Sequence, residues 1–426
     1  MKNILFVLFF IIPCLHAIAQ GTILQPANAS AVNVSPERLK RIDHFLQGQI
    51  NNGLLNGAVA FVARDGKIIY NKALGLDDTD KKTPLKTDAI FRIASQSKAI
   101  TCVAAMTLFE EGKFLLDDSV AKYIPAFANI LVLDKFNIKD TTYTTKPAKR
   151  AITIRDLFTN TSGIDHLLIG TDTMNAIYEK AGIPALFASN AILSDAMQKL
   201  GKLPLLHQPG KRFTYGSNAD VLGYLIEVIS KMSLDQFLST RLFKPLGMED
   251  TYFYLPPSKY SRLVNVYTKE KGHLRKWKEK DWPYLSVNYP TVKGTYFSGG
   301  AGLSSTVKDY AIFLQMLLNG GQYNGQRILS RHTIDLMTSN QIGDTPWADS
   351  QFVLDRWGLG FAITTKAGQT RLGQSEGSFE WAGIFGTFFW VDPKEKLVCL
   401  LYTQQYPFSW NLNDNYKVAV YQALDD

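Results

Sequence analysis

The 426-residue chain is 46% hydrophobic, 12% aromatic and 20% charged, which is typical of a globular protein with a substantial core and argues against disorder or a coiled coil. Its formal net charge of +8 is spread along the sequence, and no nucleic-acid-binding module is recognisable. The histidines stand singly, without the spacing of metal ligands. We therefore expect no metal, no cofactor and no nucleic-acid partner.

The first 19 residues have the pattern of a secretory signal peptide. A basic start is followed by an apolar run over residues 4–12 and by small residues that predict cleavage after Ala19. Pro13 interrupts the run well short of the roughly 18 apolar residues that a membrane span needs. A lipid attached to Cys14 is an alternative, which Pro13 disfavours. We expect an exported protein, periplasmic or secreted, with no stable membrane span after cleavage.

The N-terminal part of the mature chain is predicted to begin with a tail and then to enter a sheet. Residues 20–34 contain scattered Gly, Pro, Asn and Ser and predict a tail or linker. Residues 35–46 start with Ser-Pro and carry apolar residues at helical spacing, which predicts a capped amphipathic helix. Two β-rich runs, residues 57–64 and 67–71, flank the dipeptide Asp65-Gly66, and this is a strong hairpin signal.

Helical patterns dominate the middle of the chain, and strands return near its end. The predicted helices cover residues 100–110, 153–158, 191–200, 219–232, 234–242 and 307–318. The later strands are predicted at residues 361–365, 383–391 and 397–403, before a closing helix at 413–424. This order predicts an α/β (α+β) fold with one sheet assembled from both ends of the chain. We expect a single domain over residues 35–426, with the sheet from about 35–94 and 300–426 and a mainly helical insert over about 95–299.

The segment from Ser95 to Lys98 predicts an activated serine at the start of a helix. Residues three apart share a helix face, so Lys98 would lie beside Ser95 and could take its hydroxyl proton. The backbone N–H of Ser95 would point free of the helix and suit half of an oxyanion hole. The pattern S-x-x-K also occurs by chance, and the alternative is a surface helix with a capping serine and a solvated lysine.

Two cysteines remain after the predicted cleavage. Cys102 lies in the apolar helix after Ser95, and Cys399 lies in the apolar run 397–402. Because an exported protein of this size has enough core to need no covalent link, we expect two buried thiols. The sequence leaves a disulfide between them open.

Several ordered segments, together with Ser95 and Lys98, resemble the serine β-lactamase and penicillin-binding-protein-like superfamily over roughly residues 35–424. The resemblance is to the branch that holds class C β-lactamases, D-alanyl-D-alanine carboxypeptidases and family VIII esterases. It implies a β-lactamase/transpeptidase-like fold, in which an antiparallel sheet is flanked by helices and carries an inserted, mainly helical region. The segments that carry the resemblance are residues 155–163, 209–223, 298–303 and 381–393.

Residues 213–223 are similar to the tyrosine motif of these proteins, usually Y-x-N or Y-x-S, which implies that Tyr215 is a proton carrier. A phenol held near Lys98 can relay a proton to a leaving group. In the Y-x-N form an asparagine would stand at Ser217, whereas Asn218 lies one place later. Either residue is therefore a candidate for contact with a substrate amide or with Lys98. The alternative for Tyr215 is a core tyrosine that donates one hydrogen bond.

Trp381, Ala382 and Gly383 stand where lactamases and peptidases of this superfamily have K-T-G or H-x-G. They are similar to the W-G-G of family VIII esterases, in which the second oxyanion N–H follows the glycine, so Ile384 is the candidate donor beside Ser95. A tryptophan in place of a cation removes the charge that would bind the carboxylate of a β-lactam or a peptidoglycan peptide, and adds an apolar wall. We expect these three residues to line the substrate site; the alternative for Trp381 is an aromatic core residue.

Two further segments are expected to serve the shape of the site. Residues 160–163 resemble a family H-T-S-G turn with asparagine in place of histidine. Residues 298–302 form a glycine-rich turn that is expected to need unusual backbone dihedrals. Phosphate binding by the second segment is disfavoured because no P-loop lysine follows it.

These residues predict a serine hydrolase that forms an acyl-enzyme on Ser95, with Lys98 and Tyr215 moving protons and the N–H groups of Ser95 and Ile384 stabilising the oxyanion. The expected substrates are small carboxylic esters. The alternative is a β-lactamase, a D-alanyl-D-alanine carboxypeptidase or a D-amino-acid peptidase. A second alternative is a catalytically inactive binding or sensor protein of the same fold. The sequence does not indicate an oligomeric state.

Overall fold

The protein is described by a computed structural model over residues 22–184, 187–282, 286–345 and 355–426. The predicted signal peptide and Cys14 lie outside these described residues. The strands are β1 Gln25–Pro26, β2 Gly57–Arg64, β3 Lys67–Asp78, β4 Thr83–Pro84, β5 Phe91–Arg92, β6 Leu131–Asn137, β7 Thr142–Pro147, β8 Tyr267–Glu270, β9 His273–Lys276, β10 Ser304–Ser305, β11 Gln322–Tyr323, β12 Gln326–Arg327, β13 Arg356–Trp357, β14 Ala362–Ile363, β15 Phe379–Gly383, β16 Thr387–Asp392 and β17 Leu397–Tyr402. The helices are α1 Pro36–Asn51, α2 Ser97–Glu110, α3 Ile154–Phe158, α4 Asp172–Lys180, α5 Leu193–Leu200, α6 Asn218–Ser230, α7 Leu234–Leu238, α8 Lys244–Leu246, α9 Val307–Leu318, α10 Arg331–Met337, α11 Lys366–Leu372 and α12 Trp410–Tyr421.

A nine-stranded sheet lies at the centre of the described part of the chain. Its order is β1-β3-β2-β17-β16-β15-β14-β13, with β4 paired to β3. The strand β1 pairs in parallel with β3, and the other pairs along this sheet are antiparallel. Antiparallel pairing of β2 with β17 joins the strands from the two ends of the chain. The predicted α/β class and the assembly of the sheet from both ends are confirmed.

The sheet is covered on both faces, which explains why every residue of β2 is buried. The even-numbered residues from Ala58 to Val62 pack with α1 and α12. The odd-numbered residues from Val59 to Ala63 pack in a larger core that includes α2 and α9. Because successive side chains of a strand point to opposite faces, a strand between two helical layers must be apolar throughout.

The two cysteines lie in different cores and are free, buried thiols. Cys102 belongs to the core with α2, whereas Cys399 belongs to the core with α1 and α12. The prediction of two buried thiols is confirmed.

The predicted helix cap of α1 and the predicted hairpin turn between β2 and β3 are both present. The Ser35 side chain accepts a hydrogen bond from the N–H of Arg38 (3.2 Å), and Pro36 is the first residue of α1. Between β2 and β3, Asp65 and Gly66 both adopt positive φ, 50° and 73°. Two such residues give a hairpin turn whose twist matches that of the strands.

The segment before α1 differs from the predicted tail. Its strand β1 pairs with the first residues of β3, and Ala29 and Val34 are buried. Polar composition alone suggested a linker, but backbone pairing to the sheet edge and these two apolar side chains attach residues 22–34 to the domain.

The strand predicted over residues 383–391 is instead two antiparallel strands. β15 ends at Gly383 and β16 begins at Thr387, with Gly386 at a φ of 77° in the turn between them. The apolar residues Ile384 and Phe385 made the run look continuous, yet the positive φ of Gly386 reverses the chain. This turn borders the candidate site described below.

The predicted insert, about residues 95–299, contains α2 to α8 and two hairpins, β6–β7 and β8–β9. The sequence did not indicate these hairpins. Most residues of β6 and β7 are at least partly exposed, so they lack the alternation of apolar and polar residues that reveals a strand. Among the described residues, no helix combines the length and the apolar character that crossing a bilayer would require.

Candidate active site

Ser95 lies on a tight turn between β5 and α2. The N–H of Ile93 donates to the carbonyl of Leu303 (3.1 Å), which fixes the start of the turn. Ala94 then adopts a φ of 44°, in the left-handed region that is rare for a residue with a Cβ. Such a conformation costs on the order of 1–3 kcal/mol and persists only where its surroundings enforce it. This strained residue, Ala94, directly precedes the predicted nucleophile, Ser95.

Three hydrogen bonds hold the other side of this turn. The carbonyl of Gln96 accepts from the hydroxyl of Tyr310 (3.0 Å), and its side-chain oxygen accepts from the hydroxyl of Tyr402 (2.5 Å). The Ser97 hydroxyl accepts from the N–H of Leu303 (3.1 Å). All five residues are buried. The turn is therefore attached to α9, to β17 and to the segment before β10, which keeps Ser95 in one place.

Lys98 reaches Ser95 as the spacing predicted. Its Nζ lies 3.3 Å from the Ser95 Oγ and donates to the carbonyl of Gly300 (2.8 Å). The same atom lies 4.6 Å from the centre of the Tyr215 ring. Lys98 is only 3% exposed, so these groups replace water around the amine. The structure brings the three predicted catalytic residues, Ser95, Lys98 and Tyr215, together.

A buried aspartate that sequence reasoning missed supports Lys98 through Gly300. Asp220 accepts hydrogen bonds from the Ser298 hydroxyl (2.7 Å) and from the N–H of Gly300 (3.2 Å). Burial raises the pKa of Asp220, while its hydrogen bond from Ser298 and the charge of Lys98 act in the opposite direction. The only signal in the sequence was an acidic residue within the apolar start of α6.

The glycines of residues 298–302 serve close approach. A Cβ on Gly300 would lie 2.7 Å from the Asp220 carboxylate and 3.5 Å from the Lys98 Nζ. A Cβ on Gly299 would lie 2.6 Å from the carbonyl of Ala219. The expectation of unusual dihedrals is wrong, since no glycine of this segment has a positive φ. What the segment needs is the space that a side chain would occupy.

Tyr215 is held by aromatic neighbours. Its hydroxyl oxygen accepts a hydrogen bond from the indole N–H of Trp381 (3.2 Å). Its ring is nearly parallel to that of His166, with an interplanar angle of 7° and a centroid distance of 6.1 Å. Burial, assisted by the charge of Lys98, lowers the pKa of His166 to about 3, so this imidazole is neutral at ordinary pH and is a weak proton acceptor.

Asn218 and Ser217 do not lie in the cavity wall that the structure describes. The Asn218 amide donates to the side-chain oxygen of Asn160 (3.0 Å) and accepts from the Ser162 hydroxyl, in the turn 160–163. Ser217 stands at the N-cap of α6. The structure therefore places Asn218 in the support of the tyrosine loop, away from the predicted contact with substrate or Lys98.

The two predicted oxyanion donors border the same cavity. Within the serine turn, the first hydrogen bond is donated by the N–H of Gln96, the residue after Ser95, to the carbonyl of Ile93. The pairing of β15 with β16 ends at Gly383, one residue before Ile384. Ser95 thus precedes the first donor within its turn and Ile384 follows the last pair of its strand, which makes both N–H groups candidate donors to an oxyanion. A Cβ on Gly383 would lie 2.3 Å from the Ile93 carbonyl, so only glycine lets the strand approach the turn this closely.

The cavity over Ser95 has a volume of about 690 Å³ and a mainly apolar wall. Trp381, Ala382 and Gly383 line it as predicted. Asp165 also borders it, but its carboxylate is occupied by the N–H of His166 and by the N–H and hydroxyl of Thr171. Sequence reasoning missed the exposed Arg212 and most of the apolar wall, which includes Phe187, Leu206, Phe213, Tyr406, Phe408 and Trp410.

This geometry is the one expected of a serine hydrolase, because a serine on a strained turn contacts a buried lysine beside a tyrosine. Within the described ranges, no cluster of three or more His, Cys, Asp or Glu side chains could hold a metal ion.

The chain belongs to the Beta-lactamase family, whose model matches residues 42–422. It is 32% identical over 363 residues to Protein Rv1367c of Mycobacterium tuberculosis, covering 83% of this chain and 87% of that protein. It is 27% identical to Esterase EstB of Burkholderia gladioli, covering 85% of this chain and 89% of that protein. Among solved structures, EstCE1, a hydrolase with promiscuous acyltransferase activity, matches with a TM-score of 0.79 and 26% identity, covering 91% of this chain and 99% of that one. The predicted superfamily and its β-lactamase/transpeptidase-like fold are confirmed.

Proposed function

We propose that this protein is an esterase that hydrolyses carboxylic esters through an acyl-enzyme on Ser95. The observation that carries the proposal is the tryptophan at the edge of the sheet. Trp381 borders the cavity where a carboxylate-binding cation would otherwise stand, and the rest of the wall is mainly apolar. Such a site favours uncharged acyl and alcohol groups over anionic substrates. The similarity to EstB and EstCE1 supports the same choice.

In the proposed first step, the Ser95 Oγ attacks the ester carbonyl and a C–Oγ bond forms. The hydroxyl proton is carried by Lys98, whose Nζ lies 3.3 Å from the Oγ, and by Tyr215 to the alkoxide as the ester C–O bond breaks. The N–H groups of Ser95 and Ile384 stabilise the charge on the carbonyl oxygen. The alcohol leaves, and Ser95 remains acylated.

Water completes the proposed cycle. It attacks the acyl carbonyl, the C–Oγ bond breaks, and the proton that the water loses returns to the Ser95 oxygen. The hydrogen bond from Trp381 to the Tyr215 hydroxyl oxygen stabilises negative charge that develops there during either transfer.

A second candidate function is a β-lactamase or a D-alanyl-D-alanine peptidase. The observation that favours it is Arg212, a cation in the cavity wall that could bind a substrate carboxylate. The intact contacts among Ser95, Lys98 and Tyr215 argue against the inactive binding or sensor protein.

The test is to label the purified mature protein with a fluorophosphonate probe and to locate the modified peptide by mass spectrometry. Short p-nitrophenyl esters and nitrocefin are then compared as substrates, with Ser95→Ala as the control and circular dichroism to verify its fold. Labelling at Ser95 with ester turnover alone would support the esterase. Rapid nitrocefin turnover would favour the second candidate, and an unlabelled protein or an active Ser95→Ala variant would overturn the mechanism.

A further inference from the structure

A second cavity of about 310 Å³ lies beside the substrate cavity. It is bounded by α1, by the loop after β17 and by the first turns of α12. Apolar and polar side chains share its wall, among them Phe45, Leu55, Phe388, Gln405 and Leu412. None of these five residues borders the substrate cavity. The mechanism proposed above makes no use of this space.

Phe408 borders both cavities, and it is the residue shared by their described linings. Its ring packs edge-on against Phe388, with centroids 5.6 Å apart, and Phe388 borders the second cavity. It also packs edge-on against Trp410, with centroids 5.2 Å apart, and Trp410 borders the substrate cavity. Phe388 and Trp410 also pack edge-on against each other, with centroids 5.5 Å apart, so Phe408 belongs to a cluster of three rings. Of these three rings, that of Phe408 lines both cavities and forms the partition between them.

The partition stands close to the reacting end of the site. A Cβ on Gly386 would lie 3.3 Å from the Cβ of Phe408. Gly386 is two residues after the proposed oxyanion donor Ile384, and its carbonyl accepts from the N–H of Thr403 (3.0 Å). A chain that leaves the reacting carbonyl toward this turn would meet the Phe408 ring.

We propose that Phe408 limits the length of the acyl chain that this enzyme accepts, because its ring closes the second cavity to the substrate. The proposal rests on the esterase function proposed above. The second cavity offers nearly half the volume of the first. Each additional methylene buried in it would strengthen binding of the transition state roughly fourfold. The wild type therefore prefers short-chain esters, and removal of the Phe408 ring raises kcat/KM for medium-chain esters.

The test compares kcat/KM for p-nitrophenyl butyrate and p-nitrophenyl decanoate. In Phe408→Ala we expect the decanoate-to-butyrate ratio to rise at least tenfold over that of the wild type. Phe408→Leu, a milder change, should move the ratio in the same direction by a smaller factor, and it serves if the alanine variant does not fold. Leu412→Ala is the matched control: it enlarges the second cavity but leaves the partition, so the ratio should stay within twofold.

A double variant shows whether the gain uses the second cavity. Phe408→Ala with Leu412→Trp removes the partition and fills the space behind it, so the ratio should return toward the wild-type value. If the decanoate-to-butyrate ratio stays high in the double variant, the acyl chain does not bind in the second cavity, and the proposal is overturned. An unchanged ratio in folded Phe408→Ala and Phe408→Leu would overturn it as well, while leaving the esterase intact. If the wild type hydrolyses neither ester, the proposed function fails, and this inference fails with it.

Discussion

The serine side and the aromatic side of the cavity are built by opposite means. On the serine side, Lys98 and Asp220 are nearly inaccessible to water, and each has polar contacts to neighbouring groups. On the aromatic side, Phe408 and Trp410 are half-buried and their rings pack on each other.

The difference separates reactivity from selectivity. Buried polar contacts tolerate little change, because an unpaired buried polar group costs about 1–3 kcal/mol. Ring packing tolerates replacement at smaller cost, since apolar walls can be reshaped while the overall fold persists. Substitutions on the serine side should therefore abolish turnover, and those on the aromatic side should change which substrate is preferred.

Lys98→Met should have the largest effect. It removes the amine that contacts Ser95 and keeps a long apolar stem, so kcat/KM for p-nitrophenyl acetate should fall about 10³-fold. Lys40→Met, on the exposed surface of α1, is the control and should retain full activity. A Lys98→Met protein within tenfold of the wild type would contradict the role of the lysine.

Gly300→Ala should come next, because the added Cβ would meet the Asp220 carboxylate at 2.7 Å and displace the carbonyl that holds Lys98. We expect kcat to fall about 10²-fold through misplacement of the amine. Gly48→Ala is the matched control, since a Cβ there meets nothing within 4 Å and glycine disfavours a helix. If both variants keep wild-type kcat, close packing at Gly300 is irrelevant to catalysis.

Trp381→Phe should have a moderate effect. It removes the hydrogen bond to the Tyr215 hydroxyl oxygen but keeps an aromatic wall, so kcat should fall about fivefold. Trp277→Phe is the control, because the Trp277 indole N–H has no hydrogen-bond partner among the described residues and lies outside the cavity. An effect confined to KM would mean that Trp381 serves only as a wall.

The low pKa of His166 predicts how the free energy of unfolding depends on pH. Its pKa falls from 6.5 to about 3 on folding, so between these values the unfolded chain binds a proton that the folded protein does not. The free energy of unfolding should therefore decrease on acidification below pH 6.5, by about 1–2 kcal/mol at pH 5 from this residue. Urea unfolding of His166→Gln should show a shallower decrease than the wild type. The exposed His332→Gln should match the wild-type slope, and an equal slope in all three proteins would contradict the assignment.

The sequence predicted the parts of the site that depend on short spacing. Ser95 and Lys98 meet because they are three residues apart at the start of a helix. The family resemblance added Tyr215 and Ile384, which come from distant segments. Asp220 was missed because its role depends on a glycine approaching it across the fold, and no local pattern reports such an approach. Phe408 was missed because loop packing after β17, rather than periodicity, places it between two cavities.

The assembly of the sheet from both ends of the chain also sets the moment at which the enzyme can become active. The proposed nucleophile, Ser95, lies in the first quarter of the sequence, but the hydrogen bond from Thr387 to Ile93, which fastens the sheet edge to the serine turn, joins residues 294 positions apart. Lys98 and Gly300 are separated by 202 positions. Contacts of such separation form only after the intervening loops close. A chain still emerging from the ribosome therefore carries an unreactive serine, and the proposed reactivity begins only when the last strands have folded.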